Sequence, residues 1–138
     1  MAVFKEGIDH LFNVEFKGVT QVTTWYTNVF CANYTPVSDD KASTFPALAT
    51  EATTQITEGT RQPLTLSNST AQSVHNTANL ATITAATAFT AYGAGVFSTA
   101  TKGGVSGVMF CAAKFPSPRA LEVGDQLKIE VIINGAPA

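Results

Sequence analysis

The segment near the end of the chain constrains the fold more than any other part of the sequence. Between residues 126 and 133, QLKIEVII, polar and apolar side chains alternate. This period of two is typical of a β-strand with one buried face. We therefore predict that Leu127, Ile129, Val131 and Ile133 point into a core. Such a strand requires a sheet beside it and an apolar layer beneath it.

The composition agrees with a β-rich globular domain. A chain of 138 residues is most simply one domain with a core of its own. Charged residues make up 13% of it, about half the usual share of roughly 25%. The chain has 20 threonines, whose branched β-carbon favours strands over helices.

Further apolar alternation predicts several short strands separated by turns. The segments expected to be strands are 11–17, which alternates over 12–16, a longer strand at 18–32 whose two faces are assigned over 25–31, a short piece at 64–66, 79–85, 87–92, the two arms around the glycine-rich turn at 102–107, and 126–133. Residues 25–31 carry apolar groups on both faces, so this strand is predicted to be central or covered by a partner. Pro116 and Pro118 are expected to end the strand before them, because proline cannot donate to the ladder. This pattern predicts an all-β sandwich or barrel.

The charge distribution argues against nucleic acid and membrane partners. The net charge is −2 and no basic patch is visible, so electrostatic attraction to a polyanion would be small. The first ten residues carry charges where a signal peptide needs an apolar run. Residues 62–101 contain no charged side chain, but frequent threonine predicts strands there, facing water or a partner subunit, instead of a membrane span.

A search for catalytic or metal-binding residues finds no recognisable set. His10 and His75 lie far apart without ligands at zinc spacing, and the glycine-rich 102–107 lacks the ending of a phosphate loop and is predicted to be a hairpin turn. Cys31 and Cys111 lie in apolar runs, which favours buried core thiols, with a disulfide or a reactive thiol as the alternative. We therefore expect no enzyme activity, no metal and no cofactor.

Four further charged residues are Arg61, Arg119, Glu51 and Glu58. Arg61 and Arg119 each lie near a proline in a chain with few charges. Each is a candidate for contact with a partner's carboxylate or with one in this chain, such as Asp125, and is equally well explained as an internal or solvated side chain. Glu51 and Glu58 are predicted to be solvated charges.

The second half of the chain resembles structural proteins of tailed bacteriophages. The similarity lies in an ordered set of elements over residues 60–135: Arg61-Gln62-Pro63, Tyr92-Gly93, Ser98-Thr99, Thr101-Lys102-Gly103-Gly104, Gly107, Lys114-Phe115, Ser117-Pro118-Arg119, Gly124-Asp125 and Leu127. Each element is common turn chemistry, whereas the order and spacing are more specific. The sequence is most similar to the capsid cement (decoration) proteins, some of which have a jelly-roll β-sandwich.

The resemblance implies a role and partners. A cement protein binds the outer surface of the major capsid protein shell and clamps neighbouring subunits. It is made in the host bacterial cytoplasm and is finally located in the virion. Its expected partners are the major capsid protein and copies of itself, as a dimer or other small homo-oligomer. The alternative is a tail or fibre module that is structural or binds the host.

The resemblance also completes the predicted domain organisation. We expect an N-terminal arm at residues 1–10 and a single jelly-roll-like β-sandwich at residues 11–138. Within the arm, Val3, Phe4 and Ile8 are candidates for contact with a neighbour, and a frayed terminus is the alternative. Arg61 and Arg119 complete the set of candidate capsid- or partner-contact residues.

Overall fold

The structure, a computed structural model, describes residue 1 and residues 3–135. Ala2 of the predicted arm and residues 136–138 of the predicted domain lie outside the described residues. The elements in chain order are α1 (Lys5–Lys17), β1 (Tyr26–Phe30), α2 (Phe45–Leu48), β2 (Gln62–Pro63), β3 (Ser73–His75), β4 (Ala81–Thr84), β5 (Phe89–Phe97), β6 (Met109–Leu121), β7 (Gln126–Ile129) and β8 (Ile132–Asn134). The described chain is therefore mainly β, as predicted.

The strands form one larger sheet and two short pairs. The larger sheet has the order β2-β1-β5-β6, and the pairs are β3 with β8 and β4 with β7. Every pairing between these strands is antiparallel. Strand β1 lies between two neighbours, which confirms the prediction that the strand over 25–31 is central.

Apolar side chains fill both faces of the larger sheet. On one face, Val29 of β1 and Val96 of β5 belong to a cluster with Ile83 and Ile129 from the short pairs. On the other face, Phe30 packs edge-on against Phe45 of α2, with ring centroids 5.5 Å apart. Successive residues of a strand point to opposite faces, so Val29 and Phe30 reach the two clusters from adjacent positions.

The last two strands confirm the predicted alternation. Ile129, Val131 and Ile133 are buried and Leu127 is half-buried. The polar residues between them are exposed. The chain changes partner within this segment, because β7 pairs with β4 and β8 pairs with β3. The prediction therefore assigns the buried and exposed faces correctly, but the segment forms two strands with different partners instead of one continuous strand.

The strand predicted over residues 12–16 is wrong, because this segment belongs to helix α1. Glu6 in the first turn and Lys17 in the last turn complement the helix dipole. Gly18 ends the helix with a left-handed φ of 68°, and its N–H bonds to the carbonyl of Asn13. The helix spans residue 10, where the arm was predicted to join the domain.

Strand β6 continues through Pro116 and Pro118, which were expected to end it. It is an edge strand, and its register against β5 shifts between Ala91 and Gly93. Ala91 pairs with Arg119 and Gly93 pairs with Lys114. Both prolines therefore lie in an irregularity where no ladder bond is required of them.

Candidate interaction surface

The first residues of the chain are fixed on the body. The N–H of Phe4 donates to the carbonyl of Phe110 at 2.9 Å, and Val3 forms a bridge with Cys111. Phe4 is only 3% exposed and packs in the cluster that contains Phe30. Val3 is half-buried. Phe4 was a candidate for contact with a neighbour, and the structure corrects it to a core residue. Val3, the next candidate, has little free surface.

Helix α1 lies close against strand β6. Its buried residue is Gly7, where an added Cβ would lie 2.8 Å from the carbonyl oxygen of Phe110. Beside this contact, Trp25 meets His10 and Phe110 edge-on, at centroid distances of 5.8 and 5.1 Å. A side chain larger than hydrogen at residue 7 would separate the helix from the strand. The glycine thus fixes which face of the helix turns inward.

A second face of α1 carries exposed apolar side chains. Ile8, Phe12 and Phe16 are 39%, 58% and 75% exposed, and they lie four residues apart along one helix face. The Phe12 and Phe16 rings lie side by side with centroids 6.1 Å apart. We call these three residues the apolar ridge. Of the arm candidates, Ile8 is the one whose side chain is exposed.

The ridge was missed because the segment fits two periods. Phe12 and Phe16 alternate with polar neighbours as a strand would require, yet Ile8, Phe12 and Phe16 also have helical spacing. The additional signals for a helix were the acidic first turn, the basic last turn and Gly18. Considered together, they would have indicated a helix with one apolar face.

Arg61 is an internal residue, which corrects its place among the partner-contact candidates. It is 0% exposed, and Nε and one terminal nitrogen donate to the two carboxylate oxygens of Glu51 at 2.8 and 2.7 Å. The remaining N–H groups reach the carbonyl and hydroxyl of Thr99 and the carbonyl of Gly104, at 2.9 to 3.1 Å. Its guanidinium also stacks 3.8 Å from the centroid of Phe97. All five donors are thereby satisfied within the chain.

Glu51 is buried, so the prediction that it is solvated is wrong. Besides Arg61, its carboxylate accepts from the side-chain amide of Asn28 at 2.8 Å and from the N–H of Gly103 at 3.0 Å. Lys102 donates to the carbonyls of Thr53 and Glu58. The Thr-Lys-Gly-Gly element and Arg61 therefore form one internal clasp, which ties the β5–β6 turn to residues 51–61.

Glu58 and Asp125 also accept hydrogen bonds within the chain. Both carboxylate oxygens of Glu58 accept from the N–H of Thr84, at 2.9 and 3.0 Å. Asp125 accepts from the N–H of Glu122 at 2.9 Å and closes the turn between β6 and β7. The turn predicted at Gly124 is confirmed, with a φ of 88°.

Arg119 is the exposed arginine of the candidate pair. It lies on β6 and borders a surface depression with Phe115, Lys128 and Glu130. The ion pairs within the described ranges join other residues, Lys5 with Asp39 and Arg61 with Glu51. The fork of Arg119 therefore remains available for a planar carboxylate on a partner.

Both cysteines are free thiols; the prediction of a buried core thiol is confirmed for Cys111, whereas Cys31 is only half-buried. Burial raises the pKa of Cys31 to about 11. It raises the pKa of Cys111 to about 12. A thiol with so high a pKa is protonated at neutral pH and is a poor nucleophile.

Among residue 1 and residues 3–135, no three His, Cys, Asp or Glu side chains are grouped so as to hold a metal ion. In the same ranges, none of the helices has the length and apolar character needed to cross a bilayer.

Comparison with protein-family models gives no match, and no curated protein sequence matches the chain.

Proposed function

We propose that this chain is a capsid cement protein of a tailed bacteriophage. It binds the outer surface of the major capsid protein shell and stabilises the shell by clamping neighbouring subunits. Its place is the virion surface, after synthesis in the host bacterial cytoplasm. The resemblance over residues 60–135 supports this proposal, since the Arg61 and Lys102 elements of the shared pattern meet in one clasp.

The apolar ridge is the observation that carries the proposal. An adhesive protein needs a stiff body and an exposed surface that gains free energy when a partner covers it. Phe12 and Phe16 are the most exposed of the large aromatic residues described. Exposed aromatic residues of this kind are enriched in the cores of protein interfaces, which supports a protein partner. They lie on a helix that is packed against β6 through Gly7, so the surface is held rigidly.

We also propose that the β-rich body is a jelly-roll-like sandwich. The larger sheet and the two short pairs contribute to one apolar cluster, which contains Val29, Val96, Ile83 and Ile129. Two layers of antiparallel strands around a shared core are what a sandwich requires.

Arg119 is the proposed contact with the shell. It is exposed, it lies outside the ion pairs described, and its surroundings at Phe115 and Leu127 combine apolar and charged groups. Truncation of a charged hydrogen-bond donor costs about 1.5–3 kcal/mol, or roughly ten- to a hundredfold in affinity. We expect Arg119→Ala to weaken shell binding by that factor, and Arg119→Lys to restore part of the binding by keeping the charge.

The proposed partners are the major capsid protein and copies of the chain itself. We propose neither a nucleic acid nor a membrane partner, and no metal, cofactor or catalytic activity. Many identical contacts on a symmetric shell reinforce one another through effective concentration. Moderate affinity at each site is therefore sufficient.

The experiment is a thermal disruption assay on empty shells of the major capsid protein encoded with this chain. A protein that binds intact shells and not dissociated subunits raises the disruption temperature, and above its Kd the rise grows with the logarithm of its concentration. We expect such a rise, and a smaller one with Arg119→Ala. If folded protein at saturating concentration leaves the disruption temperature unchanged, the proposal is wrong and the tail or fibre function replaces it.

A further inference from the structure

An apolar groove lies beside the apolar ridge. Two adjoining depressions of about 340 Å³ each share Leu11, Val74, Phe110 and Ile133 along their walls. Trp25 and Leu66 extend the walls of one of them. We call these six residues the apolar groove. An apolar cavity of about 150 Å³ holds a benzene ring, so each depression accommodates a phenylalanine side chain.

The groove is an incompletely covered end of the core. Phe110 and Ile133 belong to the buried cluster of the body, and Trp25, Leu66 and Val74 pack against it. Covering these walls would extend the same cluster outward. The groove therefore resembles in chemistry the cavity that a buried aromatic residue normally fills.

Ridge and groove match in apolar character, and no charge on the groove opposes their contact. The depressions are lined by uncharged residues throughout. The ridge is flanked on its helix by charges of both signs, Lys5 and Asp9 near one end and Glu15 near the other. An uncharged groove neither repels these carboxylates nor requires a basic partner. One chain thus carries both halves of a complementary contact.

The exposed ring area is too small for pairing through the ridge alone. A phenylalanine contributes about 200 Å², so the exposed fractions of Phe12 and Phe16 leave roughly 270 Å² of ring surface open. A stable interface covers about 800 Å² on each partner. Contact of ridge with ridge would reach only about a third of that value. Insertion of each ridge into the other chain's groove adds the groove walls on both sides.

We propose that two copies of this chain pair about a twofold axis, with the apolar ridge of each copy seated in the apolar groove of the other. Leu11 of helix α1 lines the groove and the ridge lies on the same helix, so both contacts form at once. A twofold axis requires such a self-complementary surface. The inference rests on the proposed function for the expectation of a homo-oligomer. It assigns the apolar ridge to the second copy and leaves the exposed Arg119 as the contact with the shell. Its test uses no shells.

The first test is sedimentation velocity on the full chain, up to about 100 μM. We expect the wild type to dimerise, and the double variant Phe12→Ser/Phe16→Ser to bind itself on the order of a hundredfold more weakly, since aromatic anchors dominate interface energies. Val123→Ser is the matched control, because Val123 is 71% exposed in the β6–β7 turn away from the ridge, and it should dimerise normally. A monomeric wild type, or a ridge variant that dimerises as well as the wild type, overturns the inference.

The second test identifies the contact directly. Phe16→p-benzoylphenylalanine is irradiated in a mixture of isotopically light and heavy chains, so that cross-links between copies are recognised by mass. Adducts should map to groove residues such as Trp25, Leu66 or Val74 of the other copy. Adducts concentrated elsewhere contradict the proposed pairing.

The two proposals can fail separately. A monomeric chain that still stabilises shells, and loses this ability in Phe12→Ser/Phe16→Ser, would assign the ridge to the capsid protein. That result overturns the pairing and leaves the proposed function standing. A chain that dimerises but leaves the shells unaffected would overturn the proposed function and leave the pairing standing.

Discussion

Arg61 and Glu51, both in the segment after α2, form a buried bidentate ion pair with nitrogen–oxygen distances of 2.7 and 2.8 Å. Arg61 also donates to the carbonyl of Gly104, and Glu51 accepts from the N–H of Gly103, so that the pair holds the β5–β6 turn. Their side chains are 0% and 2% exposed. Removing one partner leaves the other charged and buried, which is far more costly than breaking an exposed pair. The clasp therefore belongs to the stability of the body and not to binding.

We expect Arg61→Leu to lower the free energy of unfolding by about 3–5 kcal/mol. The double variant Glu51→Leu/Arg61→Leu should lose less than the sum of the two single variants, because neither charge then remains unpaired. Urea denaturation of the four proteins measures both values. The exposed pair is the control: Lys5→Ala, which breaks the contact with Asp39, should cost less than about 1 kcal/mol. An Arg61→Leu protein as stable as Lys5→Ala would contradict the clasp.

Gly7→Ala should destabilise the protein although alanine is the better helix former. Alanine gains about 1 kcal/mol over glycine in a helix, but its Cβ would lie 2.8 Å from the carbonyl oxygen of Phe110. We expect a net loss of about 1–3 kcal/mol in thermal or urea unfolding. Gly59→Ala is the control, since its added Cβ meets no atom within 4 Å. A Gly7→Ala protein more stable than the wild type would show that α1 does not pack this closely.

The thiols should be unreactive in the folded protein at pH 8. Burial raises the pKa of Cys111 from 9.0 to about 12, and that of Cys31 to about 11. With a pKa of about 11, roughly one thiol in a thousand is ionised at pH 8, against about one in ten at the unperturbed value. Because the folded-state pKa values are the higher ones, the stability that they contribute is complete below pH 9 and is lost as the pH rises towards 11 and 12.

Ellman's reagent measures this prediction. Both thiols should react at the rate of global or local opening in buffer and at once in concentrated urea. The variants Cys31→Ser and Cys111→Ser assign the two rates. Rapid reaction of Cys111 in the native state would contradict its burial.

Ile129→Asp should unfold the domain. Ile129 is 3% exposed in the cluster shared by the sheet and the short pairs, and a carboxylate there would be buried without a partner. Lys128→Asp is the control, because the neighbouring side chain is exposed. Circular dichroism and thermal melting distinguish the outcomes. A normally melting Ile129→Asp protein would place this strand in the opposite register.

Local periodicity predicted the body better than the surface. The alternation of Ile129, Val131 and Ile133 was sufficient to assign their buried face, because a half-buried strand carries this pattern in its own sequence. The same reasoning failed at Phe12 and Phe16, where apolar residues face outward on a helix. A sequence period shows that residues share a face, but the burial of that face depends on contacts such as Gly7 with Phe110.

The clasp lay beyond sequence reasoning for a different reason. Arg61 was equally consistent with a partner contact and an internal ion pair, and the choice depends on where Glu51 lies after the intervening loop. Pro116 and Pro118 show the same limit, since proline is tolerated in β6 only because the register shifts there. Long-range register and pairing are set by the whole sheet and are not encoded in a single segment.

The most direct test of the central claim is co-sedimentation of the purified chain with empty shells of the major capsid protein encoded with it. The account predicts saturable binding at a fixed ratio to capsid subunits, weakened about tenfold or more in Arg119→Ala. Folded protein that stays in the supernatant while the shells sediment intact would contradict the cement function.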